Sequence, residues 1–288
     1  MSGFALALPD PGKRLREQMI FADLELAQRL ERAEGLSGAA YVEARARLEP
    51  SSGACWMSEA GAYAMFDGPE SPVTQTFGLG IFEPLTPASL DRIEAFFFDK
   101  GAPANHETSP LANSGLWDLL PQRGYRPIEF TSVLYCDLRH HATGAPEPSN
   151  IEVSVSDANE RELWATTAAR GWAESLELVE ILPNLMRTGA SARGVTTFLA
   201  RIDGLPIATA ALNIQNNVAF LAGGATVPEA RRKGAQRALL NARLRYAVGA
   251  DCRIAAMGAA PGSTSQRNAE REGFRIAYTR TKWSRPPL

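Results

Sequence analysis

The segment at residues 225–240, with the sequence ATVPEARRKGAQRALL, constrains the fold more than any other part of the chain. It indicates a strand, a short loop and a helix, because Pro228 has no N–H for a sheet and apolar residues then recur at helical spacing. The first N–H groups of such a helix lack intrahelical partners and lie at the positive end of its dipole. Gly234 lets a ligand approach the backbone closely. We therefore predict a site for a phosphate or pyrophosphate at this turn.

The same turn carries three consecutive basic residues, Arg231, Arg232 and Lys233. A solvated helix end is the simplest explanation for such a cluster. Cations at a helix N-terminus oppose the dipole, however, so an anionic ligand explains their position better. The cluster therefore supports the prediction of an anion site.

Composition limits the partners of this site. The formal net charge of −2 gives no general attraction to nucleic acid or to anionic membranes. The sequence contains no apolar run of about 18 residues and no signal peptide at its start. Its cysteines, Cys55, Cys136 and Cys252, are far apart and lack zinc-site spacing, which is typical of reduced thiols. We expect a cytoplasmic protein that binds no metal.

The chain divides into two halves. Its 288 residues suggest about two domains at roughly 150 residues each. Residues 139–149 are polar and rich in proline and glycine, which is typical of a linker. We place one domain at residues 1–145 and another at residues 150–288, and we expect a fragment of residues 147–288 to keep the anion site.

Alternating helix and strand signals predict a mixed α/β fold. In the first half, residues 13–47 favour two helices divided by Gly35, and residues 74–82 favour a strand. In the second half, Asp203 and Gly204 predict a hairpin turn between two strands. Gly223 and Gly224 lie inside the strand that precedes the basic turn, where glycine often marks a bulge.

The two halves repeat the same order of elements. Gly124-Tyr125-Arg126 and Gly273-Phe274-Arg275 each join a helix to the last strand of their half. The turn at residues 82–89 of the first half corresponds to the basic turn of the second. It contains no basic residue and no glycine, and it includes an acidic residue, Glu83. We therefore predict that only the second half binds the anion.

These features resemble the GCN5-related N-acetyltransferase (GNAT) superfamily. The resemblance rests on a strand, the sequence Val-Pro-Glu-x-Arg-Arg-Lys-Gly-Ala-Gln, a long helix, a strand, a short helix and Glu-x-Gly-Phe-Arg. The family signature Arg/Gln-x-x-Gly-x-Gly/Ala is matched by Arg231 and Gly234, and the chain departs from it at Gln236. The first half resembles a degenerate copy, as in tandem members. The resemblance implies two tandem acyl-CoA N-acyltransferase-like domains, each with a mixed α+β sheet.

The resemblance also implies acetyl-CoA as the co-substrate. In the family, backbone amides of the turn hold the pyrophosphate, and the pantetheine arm pairs with the bulged strand. Asn268, on the following short helix, is a candidate for contact with the pantetheine or the thiol, and its alternative is helix capping or solvent exposure. The implied contacts fall on Ala225, Thr226, Val227, Arg232, Lys233, Gly234, Ala235, Gln236, Arg237 and Asn268.

The catalytic residues stay unassigned. Acetyl transfer to an amine needs a neutral amine, a polarised carbonyl and a proton for the leaving thiolate. Residues 218–226 contain no carboxylate for the family's usual base, and Ala269 replaces its usual tyrosine acid. Tyr278 faces either the cleft or the core. Glu174 is a candidate for binding the amine, and its alternative is an exposed surface residue.

Two functions therefore remain open. The first is an acetyl-CoA-dependent N-acetyltransferase that transfers an acetyl group directly to a small-molecule or peptide amine. The second is a non-catalytic acyl-CoA-binding protein, which the missing acid and base favour. A P-loop nucleotide binder is excluded because its motif is absent from the sequence. The sequence leaves the oligomeric state open.

Overall fold

The computed structural model describes residues 20–140, 150–172 and 182–287, and its strands form one sheet. The helices are α1 Leu24–Leu48, α2 Pro87–Phe98, α3 Gly115–Gln122, α4 Arg161–Trp172, α5 Leu182–Ala190, α6 Ala235–Gly249 and α7 Thr264–Arg271. The strands are β1 Cys55–Glu59, β2 Ala62–Phe66, β3 Gln75–Phe77, β4 Ala104–Thr108, β5 Arg126–Asp137, β6 Glu152–Val155, β7 Val195–Ile202, β8 Leu205–Gln215, β9 Val218–Thr226, β10 Ile254–Ala259 and β11 Arg275–Arg285.

The sheet has the strand order β1-β2-β3-β4-β11-β5-β10-β9-β8-β7-β6. Each half contains one parallel pair joined by a long helix, β3–α2–β4 in the first half and β9–α6–β10 in the second. Each pair is followed by a short helix and a last strand, α3–β5 and α7–β11. The mixed α/β class and the repeat of elements are therefore confirmed.

The last strands of the two halves are exchanged across the centre of the sheet. Strand β5 of the first half pairs with β10 of the second half, and β11 of the second half pairs with β4 of the first. Strands β5 and β11 also pair with each other. A fragment of residues 147–288 would leave β11 without its partners β4 and β5, and its retention of the anion site stays a prediction. Residues 141–149 of the predicted linker lie outside the described residues, and the boundary stays a prediction.

Helix α1 crosses the middle of the shared sheet as one continuous element. Its buried residues Leu26, Leu30 and Ala33 belong to the same core cluster as Val133 of β5 and Tyr278 of β11. The predicted break at Gly35 is wrong. A Cβ at this position would lie 2.5 Å from the ring of Tyr63, so the glycine permits close packing on β2 rather than ending the helix.

Two turns with left-handed backbone positions determine where neighbouring strands end. One follows β3, and the other joins β7 to β8. The predicted strand at residues 74–82 is too long, because β3 ends at Phe77 and Gly78 and Gly80 adopt φ angles of 77° and 71°. The predicted hairpin between β7 and β8 is confirmed, with φ angles of 51° at Asp203 and 76° at Gly204. Both results follow from left-handed backbone positions that favour glycine.

Candidate functional site

Strands β9 and β10 separate and open a cleft in the second half. They pair in parallel over Ile254↔Val218, Ala255↔Ala219 and Ala256↔Phe220. Beyond this point, the pairing of β9 with β8 shifts register between Thr209 and Ala211, opposite Gly223 and Gly224. The predicted bulge is therefore confirmed. The cleft beside it has a volume of about 850 Å³.

Two buried side chains hold the bulge in shape. The indole Nε1–H of Trp164 donates to the carbonyl oxygens of Phe198 and Ala210, each at 3.1 Å. The guanidinium of Arg243 donates to the carbonyl oxygens of Ala211 at 3.2 Å and Ala222 at 3.3 Å. Burial lowers the pKa of Arg243 to about 10, so this side chain remains charged at neutral pH. The bulge is a supported feature of the fold, because its carbonyl groups have fixed partners.

Helix α6 begins at the mouth of the cleft. Its N-cap is Gly234, with a φ of 90° and no hydrogen bond from a side-chain cap. A Cβ at Gly234 would meet only Ile151 Cδ1, at 3.9 Å, so the space beside the backbone is open. The helix start therefore has no side-chain cap and has open space beside its backbone, and the anion site there stays a prediction.

Most of the predicted donor-site residues are brought together here. The cleft is lined by Ala225, Thr226, Arg232, Gly234, Ala235, Gln236, Arg237 and Asn268. Two predicted residues lie elsewhere. Val227 is buried in the core, and its N–H donates to the carbonyl oxygen of Ile207 at 3.0 Å, so this amide is unavailable to a ligand. Lys233 is exposed on the turn and is not among the residues that line the cleft.

Gln236, where the chain departs from the family signature, ties the helix to the strand. Its Nε2 donates to the carbonyl oxygen of Ala225 at 2.8 Å and to Thr226 Oγ1 at 2.9 Å. Its Oε1 lies 3.1 Å from the position of a Cβ built on Gly224, so a side chain there would require a shift. The glutamine therefore closes the corner between β9 and α6.

The basic residues of the turn have different roles. Arg231 donates to the carbonyl oxygens of Thr226 at 3.4 Å and Gly171 at 3.2 Å, and it joins the turn to the end of α4. Arg232 lines the cleft and is exposed, as is its neighbour Lys233. Arg232 and Lys233 are thus the residues of the cluster that present charge to solvent at the open end of the cleft.

A second cavity, of about 580 Å³, adjoins the cleft. The residues that line both spaces are Trp172, Gly224, Gln236, Leu240, Thr264 and Asn268. From there the cavity extends into the first half, where it is lined by Glu34, Gln75, Phe77, Glu107, Glu129 and Thr131. The exchange of β5 and β11 brings these two halves of the wall together.

Glu107 on β4 is the most unusual group in the second cavity. It is 6% exposed, and its Oε2 has no hydrogen-bond partner among the described residues. Burial raises its pKa from the ordinary 4.5 to about 7, against the opposing effect of the nearby cations Arg280 and Lys282. Glu107 lies on β4 of the first half, far in sequence from the bulged strand β9, where the family's usual carboxylate base would lie.

A buried network lies beside Glu107. Arg280 of β11 is 1% exposed, and its Nε donates to Glu31 Oε1 at 2.8 Å. The same guanidinium bonds Glu34, and the Tyr278 hydroxyl donates to Glu31 at 2.8 Å. Tyr278 therefore belongs to the core between α1 and β11 rather than to the cleft.

The remaining sequence-based candidates have mixed outcomes. Ala269 is buried in the core of the second half, and Asn268 accepts a hydrogen bond from Arg271 at 3.0 Å. Trp172 lines both cavities, whereas Glu174 lies outside the described residues.

Over residues 20–140, 150–172 and 182–287, no group of histidine, cysteine or acidic residues is arranged to hold a metal. None of the helices in these ranges combines the length and apolarity of a membrane span.

Residues 161–274 match the family model for the Acetyltransferase (GNAT) family. A GCN5-related N-acetyltransferase from Kribbella flavida aligns with a TM-score of 0.63 and 20% identity, over 87% of this chain and 96% of that chain. A tandem GNAT protein from the clavulanic acid biosynthesis pathway aligns with a TM-score of 0.56 and 14% identity, over 78% of each chain. A GCN5-related N-acetyltransferase from Sphaerobacter thermophilus gives a TM-score of 0.52 and 18% identity, over 79% and 78%. No curated protein matches the sequence.

Proposed function

We infer that residues 161–274 form a domain of the GNAT acetyltransferase family in a chain with the tandem GNAT fold. On this premise, we propose that the protein is an acetyl-CoA-dependent N-acetyltransferase. It transfers the acetyl group directly to the amine of a small molecule or peptide. Residues 150–288 carry the acetyl-CoA site, and residues 1–145 carry none. The cytoplasm is the proposed location, in keeping with three free cysteines.

The observation that carries this proposal is the uncapped start of α6 beside the parted strands β9 and β10. The backbone from Arg232 to Arg237 offers amides and positive charge to a pyrophosphate. Ala225 and Thr226 line the cleft on the bulged strand, where the pantetheine arm would lie as an additional strand. The open space at Gly234 fits a ligand held close to the backbone.

Acetyl-CoA, when bound, supplies an activated acetyl group. The protein holds the donor in the cleft and leaves the adjoining cavity for the amine. Bringing two reactants together in one orientation is itself a large part of catalysis for a reaction of this kind. Arg243 holds the Ala222 carbonyl group of β9, and Trp164 and Arg243 hold the carbonyl groups of Ala210 and Ala211 on the neighbouring strand β8, which supports the backbone of the bulge.

A non-catalytic acyl-CoA-binding protein is the second candidate. Ala269, where the family's usual acid is a tyrosine, favours this alternative. The two functions differ in one result, namely the release of free CoA thiol when acetyl-CoA and an amine are supplied together.

The proposal is tested by titrating CoA into the Gly234→Val variant in a calorimeter. A valine at a φ of 90° places a branched side chain where the pyrophosphate would approach. We expect CoA affinity to fall at least about tenfold, equivalent to about 1.4 kcal/mol. Gly204→Val is the matched control, because Gly204 also has a positive φ, 76°, and has nothing within 4 Å of its Cβ position.

The control separates backbone strain from the loss of a site. Both variants should lose similar stability, and only Gly234→Val should lose affinity for CoA. Equal CoA affinities in the wild type and in Gly234→Val would overturn the placement of the donor. Binding of CoA without thiol release on any amine would favour the non-catalytic alternative.

A further inference from the structure

We propose that the first half supplies the acceptor side of this reaction, with Glu107 as the proton acceptor for an ammonium group that enters the second cavity on an apolar stem. The inference rests on the proposed acetyl transfer and gives the half without a donor turn a role. It identifies the substrate class as a primary amine whose carbon body is apolar or aromatic.

The Glu107 carboxylate has an oxygen in the wall of the second cavity that no described residue satisfies. Its Oε2 is buried and lacks a hydrogen-bond partner among the described residues, and the side chain lines the second cavity. A buried polar atom without a partner is costly, so native proteins rarely retain one without a reason. An N–H donor from a ligand in the cavity would satisfy this oxygen.

The charged side chains around the cavity are paired unequally. Arg280 forms ion pairs with Glu31 and Glu34. Lys282 Nζ of β11 lies 3.8 Å from Glu129 Oε2 of β5. Glu107 forms no ion pair within the part of the chain that the structure describes. Of the three carboxylates in the cavity wall, Glu107 is thus the one left for a cationic ligand.

Apolar side chains line part of the second cavity, beside the polar residues of its wall. Phe77 lies directly opposite Glu107 in the β3–β4 pairing, and Phe220, Leu221 and Met257 line the same cavity. Apolar side chains of this kind bind hydrocarbon rather than a polar peptide backbone. An amine with an apolar stem therefore fits better than a polyamine or an amino acid.

The ionisation of Glu107 suits a base at neutral pH. Its pKa of about 7 reflects burial, opposed by the charges of Arg280 and Lys282 and reinforced by those of Glu34 and Glu129. A general base works best when its pKa lies near the working pH. The carboxylate form, which accepts the proton, becomes dominant as the pH rises through this value.

The reaction then balances as follows. The ammonium R–NH₃⁺ gives one proton to the Glu107 carboxylate and becomes R–NH₂. The nitrogen lone pair forms a C–N bond to the thioester carbonyl carbon, and the C–S bond breaks as the tetrahedral adduct collapses. A proton from the attacking nitrogen passes to the thiolate, which gives the amide and CoA–SH. Glu107 finally releases its proton to water.

The test compares wild type with Glu107→Gln, using phenethylamine, tyramine and hexylamine as probes and following release of free thiol from acetyl-CoA. Glutamine keeps the shape and removes the base. We expect kcat to fall about 100-fold or more, within the usual contribution of a general base, with CoA affinity unchanged within about twofold by calorimetry. Glu70→Gln, the same change at an exposed site in the first half, should behave as wild type.

A pH profile adds a readout that a purely structural role would not move. The wild-type kcat/KM should rise as the pH passes through about 7. The kcat/KM of Glu107→Gln should lack this pH-dependent rise. A parallel set of polar amines, glycinamide, lysine and spermidine, tests the substrate class. Faster turnover of the polar amines than of the apolar amines would overturn the proposed substrate class.

The failure of the inference is distinguishable from failure of the proposed function. Thiol release by the wild type with full activity and an unchanged pH profile in Glu107→Gln would overturn the role of Glu107 and leave acetyl transfer standing. No thiol release by the wild type with any of the six amines, although CoA binds, would overturn the transferase and the role of Glu107 together.

Discussion

The two long helices that follow the parallel strands, α2 and α6, begin in opposite ways. At the start of α2, Thr86 Oγ1 accepts from the Ser89 N–H at 3.1 Å, and Ser89 Oγ accepts from the Thr86 N–H at 2.9 Å. At the start of α6, Gly234 provides no side-chain cap. The first helix caps its first amides with its own side chains, whereas the second has no side-chain cap. This difference at one turn is why we propose a donor site in the second half and none in the first.

The strands that precede these helices, β3 and β9, also differ: β3 is short and closed off, whereas β9 lines an open cleft. In the first half β3 ends at Phe77, and the N–H of Gly78 donates to Glu31 Oε2 at 3.1 Å. In the second half β9 continues to Thr226 through the bulge and lines an open cleft. In the first half, the chain turns away after Phe77 and its Gly78 amide is held by the buried Glu31. We infer that the halves divide the donor and acceptor roles.

The largest expected effect concerns the strand exchange that joins the halves. Replacing Arg280 by Met leaves the Glu31 and Glu34 carboxylates buried without their cation. Removing one partner of a buried ion pair costs about 3–5 kcal/mol of unfolding free energy, which urea denaturation measures. Arg275→Met, at an exposed site on the same strand, should cost less than about 0.5 kcal/mol. Equal effects of the two variants would show that the network does not hold α1 to β11.

A smaller effect is expected at the capped helix of the first half. Thr86→Ala removes the side-chain acceptor for the Ser89 N–H. The loss of such a cap costs about 1 kcal/mol of unfolding free energy. CoA affinity, measured by calorimetry on the same sample, should stay at the wild-type value. A weakened affinity would mean that this turn also binds CoA, and the contrast between α2 and α6 would fail.

Local signals explain what the sequence predicts correctly. The turn at Gly234, the bulge at Gly223 and Gly224, and the hairpin at Asp203 all depend on backbone conformations that few residues adopt. The corresponding motifs at Gly124 and Gly273 revealed the repeat. These features are encoded within a few residues, so they can be read without knowing the tertiary contacts.

Tertiary contacts explain what the sequence does not predict. Gly35 looks like a helix break, and only its packing on Tyr63 shows why α1 continues. The spacing of strands β5 and β11 does not reveal that each pairs with the other half. Glu107 reaches the second cavity, beside the second-half cleft, only through this exchange, so no motif near the basic turn points to it.

The division of roles between the halves is tested most directly by hydrogen–deuterium exchange of the full chain with and without CoA. We predict that bound CoA slows exchange in peptides covering residues 224–240 and 264–272, while peptides covering residues 84–98 exchange as in the free protein. Slower exchange at residues 84–98, or none at residues 224–240, would contradict the assignment of a single donor site to the second half.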